Sequence, residues 1–200
     1  MIRSILIAQL IWITSSAPQA WDFHLKDSAG NVHSVSDWHG RKAAVLFFIA
    51  PDCPISNRYA PEINRIVHDY SSRNVVFEIV YSDPDIAAKD AAKHVHDFGF
   101  QMAALLDPQQ VLATRTKATI TPSVVVFSSD GVVQYRGRID DRYVDLITYR
   151  DTPQRQDLRL ALDSILSGKP VALAMTQAVG CYLPKPLKPG HGIDEVLLYR

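Results

Sequence analysis

Three short apolar runs, Ala44 to Ile49, Val75 to Tyr81 and Ser123 to Ser128, punctuate the chain. Their length and β-branched content predict buried strands. After the first run the period changes to that of a helix. Ile55, Tyr59, Ile63, Ile66, Val67 and Tyr70 share one face of a predicted helix from Cys53 to about Ser72. Pro54 falls at its first position, where a missing N–H costs nothing. Asp83-Pro84 reads as the cap and first residue of a helix to about Phe98. Met102 to Leu106 follows as a short strand and Pro108 to Lys117 as a short helix. Asp130-Gly131 joins Ser123–Ser128 to a strand over Val132–Arg138, a strong hairpin signal. Thr152-Pro153 is expected to cap a final helix whose apolar positions are Leu158, Leu162, Ile165 and Leu166, with Gly168 past its end.

Upstream, Trp21–Lys26 and Val32–Val35 flank the turn-rich Asp27-Ser28-Ala29-Gly30-Asn31, which predicts an N-terminal hairpin. The order βαβα(β)αββα predicts an α/β domain, a mixed central sheet flanked by helices on both faces. From Lys169 onward the chain is rich in proline and glycine and is expected to form an extended C-terminal tail without a core of its own.

Two hundred residues at 47% apolar composition suit one domain plus extensions. The 21 basic and 21 acidic residues cancel, and no basic stripe stands out, which argues against nucleic acid as a partner. The opening segment reads differently. Met1-Ile2-Arg3 is a positive start, Ser4 to Thr14 is apolar, and Ser15 to Ala20 offers small residues for cleavage after Ala17 or Ala20. About eleven apolar residues fall short of the roughly twenty that span a bilayer, so a cleaved signal is preferred to an anchor. The expected organisation is a signal peptide over 1–20, a domain over 21–168 and a tail over 169–200. The mature protein is expected to be periplasmic or secreted.

Export changes the reading of the two cysteines, Cys53 and Cys181. In an oxidising compartment an isolated pair serves as a structural disulfide, and two thiols also suffice for a redox cycle. Cys53 lies where the strand hands over to the helix. A thiol there faces unpaired backbone N–H groups and the positive end of the helix dipole, which favours the nucleophilic thiolate. The sulfur is expected to be accessible, with Asp52 as an opposing charge and Ser56 as a hydrogen-bond partner. Cys181, beside Gly180, is a resolving thiol that reaches back to Cys53, a permanent staple, or unpaired, and the sequence leaves these open.

Over residues 22 to 166 the chain resembles the thioredoxin superfamily. The segment Phe47-Phe48-Ile49-Ala50-Pro51-Asp52-Cys53-Pro54-Ile55-Ser56 is similar to the thioredoxin active-site segment. Pro61, eight residues past the cysteine, matches the helix-kinking proline of that family. Thr121-Pro122 resembles its cis-proline loop, and Asp130 to Asp140 is similar to exported redoxin-domain proteins. The resemblance implies a thiol–disulfide oxidoreductase with Cys53 as nucleophile. Pro54, Thr121 and Pro122 would bind substrate, and Cys181 would resolve the intermediate. Clients would be protein thiols or disulfides, or small hydroperoxides, with a membrane or soluble thiol reductant and no cofactor.

The departures are specific. Ser56 stands where a dithiol thioredoxin has its second cysteine, Tyr59 where exported thioredoxins carry glutamate, and Phe47 where the buried acid sits. A peroxiredoxin-like peroxidase is the alternative, resembled by Cys53-Pro54 and the segment 82–106. It lacks the hydroxyl donor three residues before the cysteine, which is Ala50, and Pro122 stands near its arginine position. Arg115, Arg136 and Arg138 are the candidates to replace that arginine. The third reading is a non-catalytic binding or copper-handling module, for which Asn57 replaces a second cysteine. His94 and His96 should point to different sides of their helix, and the other histidines are read as solvated, so no metal is expected. Asp140-Asp141 is read as a solvated, charge-paired loop.

Overall fold

The computed structural model describes residues 22–185. The first strands, β1 (His24–Lys26) and β2 (Val32–Ser34), form the expected hairpin, and a 3₁₀ turn over Val35–Trp38 follows. The core sheet is built from β3 (Ala43–Phe48), β4 (Val75–Tyr81), β5 (Ala103–Leu106), β7 (Ser123–Ser128) and β8 (Val133–Gly137), ordered β5-β4-β3-β7-β8. β3 runs parallel to β4 and antiparallel to β7. A separate two-stranded ladder joins β6 (Ile120–Thr121) to β9 (Cys181–Tyr182). The fold is thioredoxin-like.

Alternation along the strands sorts the core into two layers. Val45, Phe47, Ile79, Val124 and Val126 face α1 (Pro54–Tyr70), α2 (Ala88–Asp97) and α4 (Asp157–Leu166). Ala44, Leu46, Phe48, Val80, Val125 and Phe127 face Phe23, Trp38 and α3 (Val111–Thr116). β3 is buried on both sides, which is why its sequence is apolar without alternation. Its C-terminal end therefore delivers Cys53 to the rim of a rigid centre.

Three helices begin later than the sequence predicts, the shortest of them, α3, at Val111 rather than Pro108. Asp83 uses its carboxylate on the Asp85 N–H and its carbonyl on the Ile86 N–H. That closes a local turn, and α2 starts only at Ala88. Thr152-Pro153 likewise lies in a loop, and α4 starts at Asp157. The tail also departs from expectation. The Arg136 N–H donates to the Ala174 carbonyl and the Thr176 N–H to the Arg136 carbonyl, both at 3.0 Å, so residues 174–176 extend the sheet beyond β8. Ala178 and Gly180 are buried. Residues 174–183 are docked along the domain rather than loose.

Candidate active site

Cys53 is the N-cap of α1 in extended backbone conformation, with Pro54 at the first helical position. Its N–H donates to the Ala50 carbonyl, and the Asn57 N–H donates to the Cys53 carbonyl, which fixes the turn out of β3. The Thr121–Pro122 peptide bond is cis. It brings the Thr121 carbonyl oxygen to 3.3 Å from Cys53 Sγ. Cys53 and Cys181 form a disulfide with Cα atoms 6.0 Å apart. The sulfur expected to be accessible is only 1% exposed in this oxidised state, because the tail lies over it.

The cover is built from backbone. β9 pairs antiparallel with β6, placing Cys181 opposite Thr121 and Tyr182 opposite Ile120. The Leu183 N–H donates to the Thr119 carbonyl, and Gln110 Nε2 donates to the Pro184 carbonyl. A small cleft remains beside the disulfide, lined by Ala50, Pro51, Asp52, Tyr81, Asp83 and Tyr182 among others. Asp52, in its lining, and Pro54 are exposed, and Pro122 is buried.

Ser56 does not take the role expected of it. Its buried hydroxyl oxygen accepts from the Ala50 N–H at 3.4 Å, and no bond to the sulfur occurs among the described residues. It braces the turn before the cysteine. Tyr59 donates to the Asp140 carboxylate at 2.5 Å. Asp140 and Asp141 are buried rather than solvated, at 3% and 8% exposure. Burial raises the Asp140 carboxyl above its ordinary range, partly offset by the bonds from Tyr59 and the Arg142 N–H.

A hydrogen-bonded chain that the sequence did not reveal supports the turn from behind. Asn57 Nδ2 donates to the Pro51 carbonyl at 2.8 Å, which leaves Asn57 Oδ1 as an acceptor. His94 Nε2 lies 2.9 Å from that oxygen and must donate to it. His94 Nδ1 then accepts from the Tyr81 hydroxyl at 2.6 Å. One tautomer satisfies every link, and the chain ends on the carbonyl two residues before Cys53. Burial lowers the His94 pKa to about 4 and raises that of Tyr81, so both groups stay neutral.

His94 is buried and His96 exposed, on different sides of α2. His33 is not simply solvated. Burial pulls its pKa down, but its bonds to the Asp27 and Asp37 carboxylates and the charge of Glu78 outweigh that, and the net shift is upward. Among the described residues, His33, Asp37 and Glu78 bring ligand atoms within 4.8 Å of one another and could hold a cation. His33 and Asp37 already bond each other at 3.0 Å, and Glu78 already accepts from Trp38 Nε1.

The arginines considered for peroxide chemistry are engaged elsewhere. Arg115 bonds the Asp22 carbonyl, Arg136 the Met175 sulfur, and Arg138 the Asp157 carboxylate. Among the described residues, no arginine lines the cleft beside the disulfide.

Three comparisons complete the picture. An uncharacterised conserved protein from Geobacillus kaustophilus is similar in structure, with TM-score 0.74, 28% identity, and 85% of this chain and 92% of that chain covered. A hypothetical protein from Sinorhizobium meliloti gives 0.72 and 23%, covering 82% and 91%. A secreted Mycobacterium tuberculosis disulfide oxidoreductase homologous to E. coli DsbE gives 0.51 and 19%, covering 73% and 95%. No curated protein sequence matches. The sequence signature of the AhpC/TSA family matches residues 17–136. Sharing that signature and a thioredoxin-like fold with its cysteine at the strand–helix junction, the chain belongs to the AhpC/TSA family of thiol-based oxidoreductases.

Proposed function

We propose that the protein is an extracytoplasmic thiol–disulfide oxidoreductase in which Cys53 attacks and Cys181 resolves. The supporting observation is that Cys181 is bonded to Cys53 at the helix N-terminus beside the cis Pro122, rather than to a remote site. In the reduced protein the Cys53 thiolate attacks a client disulfide. One client sulfur bonds to Cys53, the client S–S bond breaks, and the departing thiolate takes a proton from solvent. Cys181 then loses its proton and attacks Cys53 Sγ. This forms the Cys53–Cys181 bond and expels the second client thiolate. Two electrons have passed from the protein's dithiol to the client. A dithiol reductant, membrane-bound or soluble, resets the pair and is itself oxidised to a disulfide.

Pro54, Thr121 and Pro122 would contact the client, and Thr121 lines the cleft beside the disulfide. Hydroperoxide reduction has less support, because position 50 carries no hydroxyl and no arginine lines the cleft to polarise an O–O bond. The predicted signal over 1–20 lies outside the described residues. Export rests on the sequence pattern, and it suits a protein whose two cysteines are joined.

Insulin reduction driven by a dithiol regenerant tests the assignment. Cys53→Ser should lower the rate to the uncatalysed background. Cys181→Ser should instead accumulate a mixed disulfide on Cys53, visible as added mass. Full turnover by the Cys53→Ser variant would overturn the assignment. A Cys181→Ser variant as active as the parent would make the disulfide a staple.

A further inference from the structure

The backbone around Cys181 carries more information than the disulfide itself. The Thr121 carbonyl is held between two groups. On one side Cys53 Sγ lies 3.3 Å away, and on the other Gly180 presses against it. A Cβ at position 180 would overlap the Thr121 carbonyl and sit 3.0 Å from Pro122 Cδ. The atoms it would strike are backbone and a proline ring, both buried, with the sulfur directly behind. They cannot withdraw as a flexible side chain would. Gly180 does not adopt a positive φ, so close approach, and not a special backbone conformation, requires glycine here. Beyond the cysteine the lane opens, since Tyr182 is 82% exposed.

We propose that Gly180–Leu183 occupies the client's seat, so that clients are extended peptides with glycine immediately before the reacting cysteine. This rests on the thiol–disulfide reading. A client bonded to Cys53 and paired with β6 in this antiparallel register brings its preceding residue against the Thr121 carbonyl, as Gly180 does. The residue after its cysteine faces solvent and is unrestricted. Tail and client need the same edge of β6 and the same sulfur, so they exclude each other. Resolution by Cys181 is then also displacement, as the returning tail takes the β6 hydrogen bonds from the leaving client.

The test uses the full chain carrying Cys181→Ser, reduced, with two peptides copying residues 178–184. One keeps glycine before its cysteine and the other has alanine. Each peptide cysteine is activated as a mixed disulfide with thionitrobenzoate, whose release is read by absorbance. The glycine peptide should react with Cys53 faster by about tenfold or more, the usual scale for one methyl forced into a packed contact. Adding Gly180→Ala to the protein should weaken tail docking and accelerate the glycine peptide severalfold. Thermal unfolding confirms that both variants fold. Equal rates for the two peptides, with ready reaction of Cys53 toward a small aromatic disulfide, would overturn the glycine requirement and leave the exchange reading intact. An unchanged rate in the Gly180→Ala protein would overturn the competition between tail and client. A Cys53 inert even to the small disulfide would overturn the exchange reading, and this inference with it.

Discussion

His94 is bonded through both ring nitrogens, to Tyr81 and to Asn57, and the bond that Nδ1 accepts from Tyr81 holds only while the ring is neutral. Burial lowers its pKa from 6.5 to about 4. The unfolded chain therefore takes up a proton at lower pH before the native one does, and stability falls as pH drops through that window. Between pH 7 and pH 5 the wild type should lose about 2 kcal/mol relative to His94→Gln, whose side chain does not titrate. Urea titrations of both proteins at each pH check this, and parallel curves would show that His94 does not remain neutral. Asn57→Ala removes two bonds from the same chain and should cost about 1–3 kcal/mol. It should also slow alkylation of reduced Cys53, because the Pro51 carbonyl loses its donor. None of this was legible in the sequence, which shows His94 only as one of two histidines expected on different sides of a helix. Asp140 and Asp141 were misread for a related reason. A charged pair beside arginines looks solvated until the chain folds Tyr59 and the Arg155 N–H onto it.

The strands were largely legible as elements. β4 and β7 coincide with their apolar runs, because a strand buried on both faces leaves continuous hydrophobicity in the sequence. The helix starts were not. Asp83-Pro84 and Thr152-Pro153 have the chemistry of a cap, but the same side chains also close turns, and only the surrounding chain selects between the two uses. The docked tail was hidden more deeply, because backbone pairing leaves no side-chain pattern to read. Its contact with β8 depends on Gly137, at φ +140, where a Cβ would overlap the Thr176 hydroxyl and carbonyl oxygens. Gly137→Ala should therefore loosen residues 174–178. Hydrogen exchange at Thr176, whose N–H bonds the Arg136 carbonyl, should rise by about tenfold or more if the docking weakens by about 1.4 kcal/mol. Unchanged protection there would show that the tail is held by the disulfide alone.

For the whole molecule, the disulfide joins residues 128 apart in sequence. In the chain-entropy account a loop of that size contributes about 4–5 kcal/mol by restricting the unfolded chain. Reduction should lower the unfolding free energy by an amount of that order, and denaturant titrations with and without reductant measure it. The sheet, the cysteine at its rim and the cis-proline loop could be anticipated because each leaves a local signature. That Cys181 reaches back to Cys53 stood among the sequence's open readings, but the β6–β9 ladder that closes the site did not, because it joins segments some sixty residues apart through main-chain atoms. That closing carries a solubility consequence. Residues 174–176 occupy the outer side of β8, which would otherwise end the sheet as a bare ladder of amides and carbonyls. Detachment of residues 174–176 would uncover an edge on which another chain can add a strand. Docking of that segment thus guards the protein against edge-to-edge pairing with its own copies.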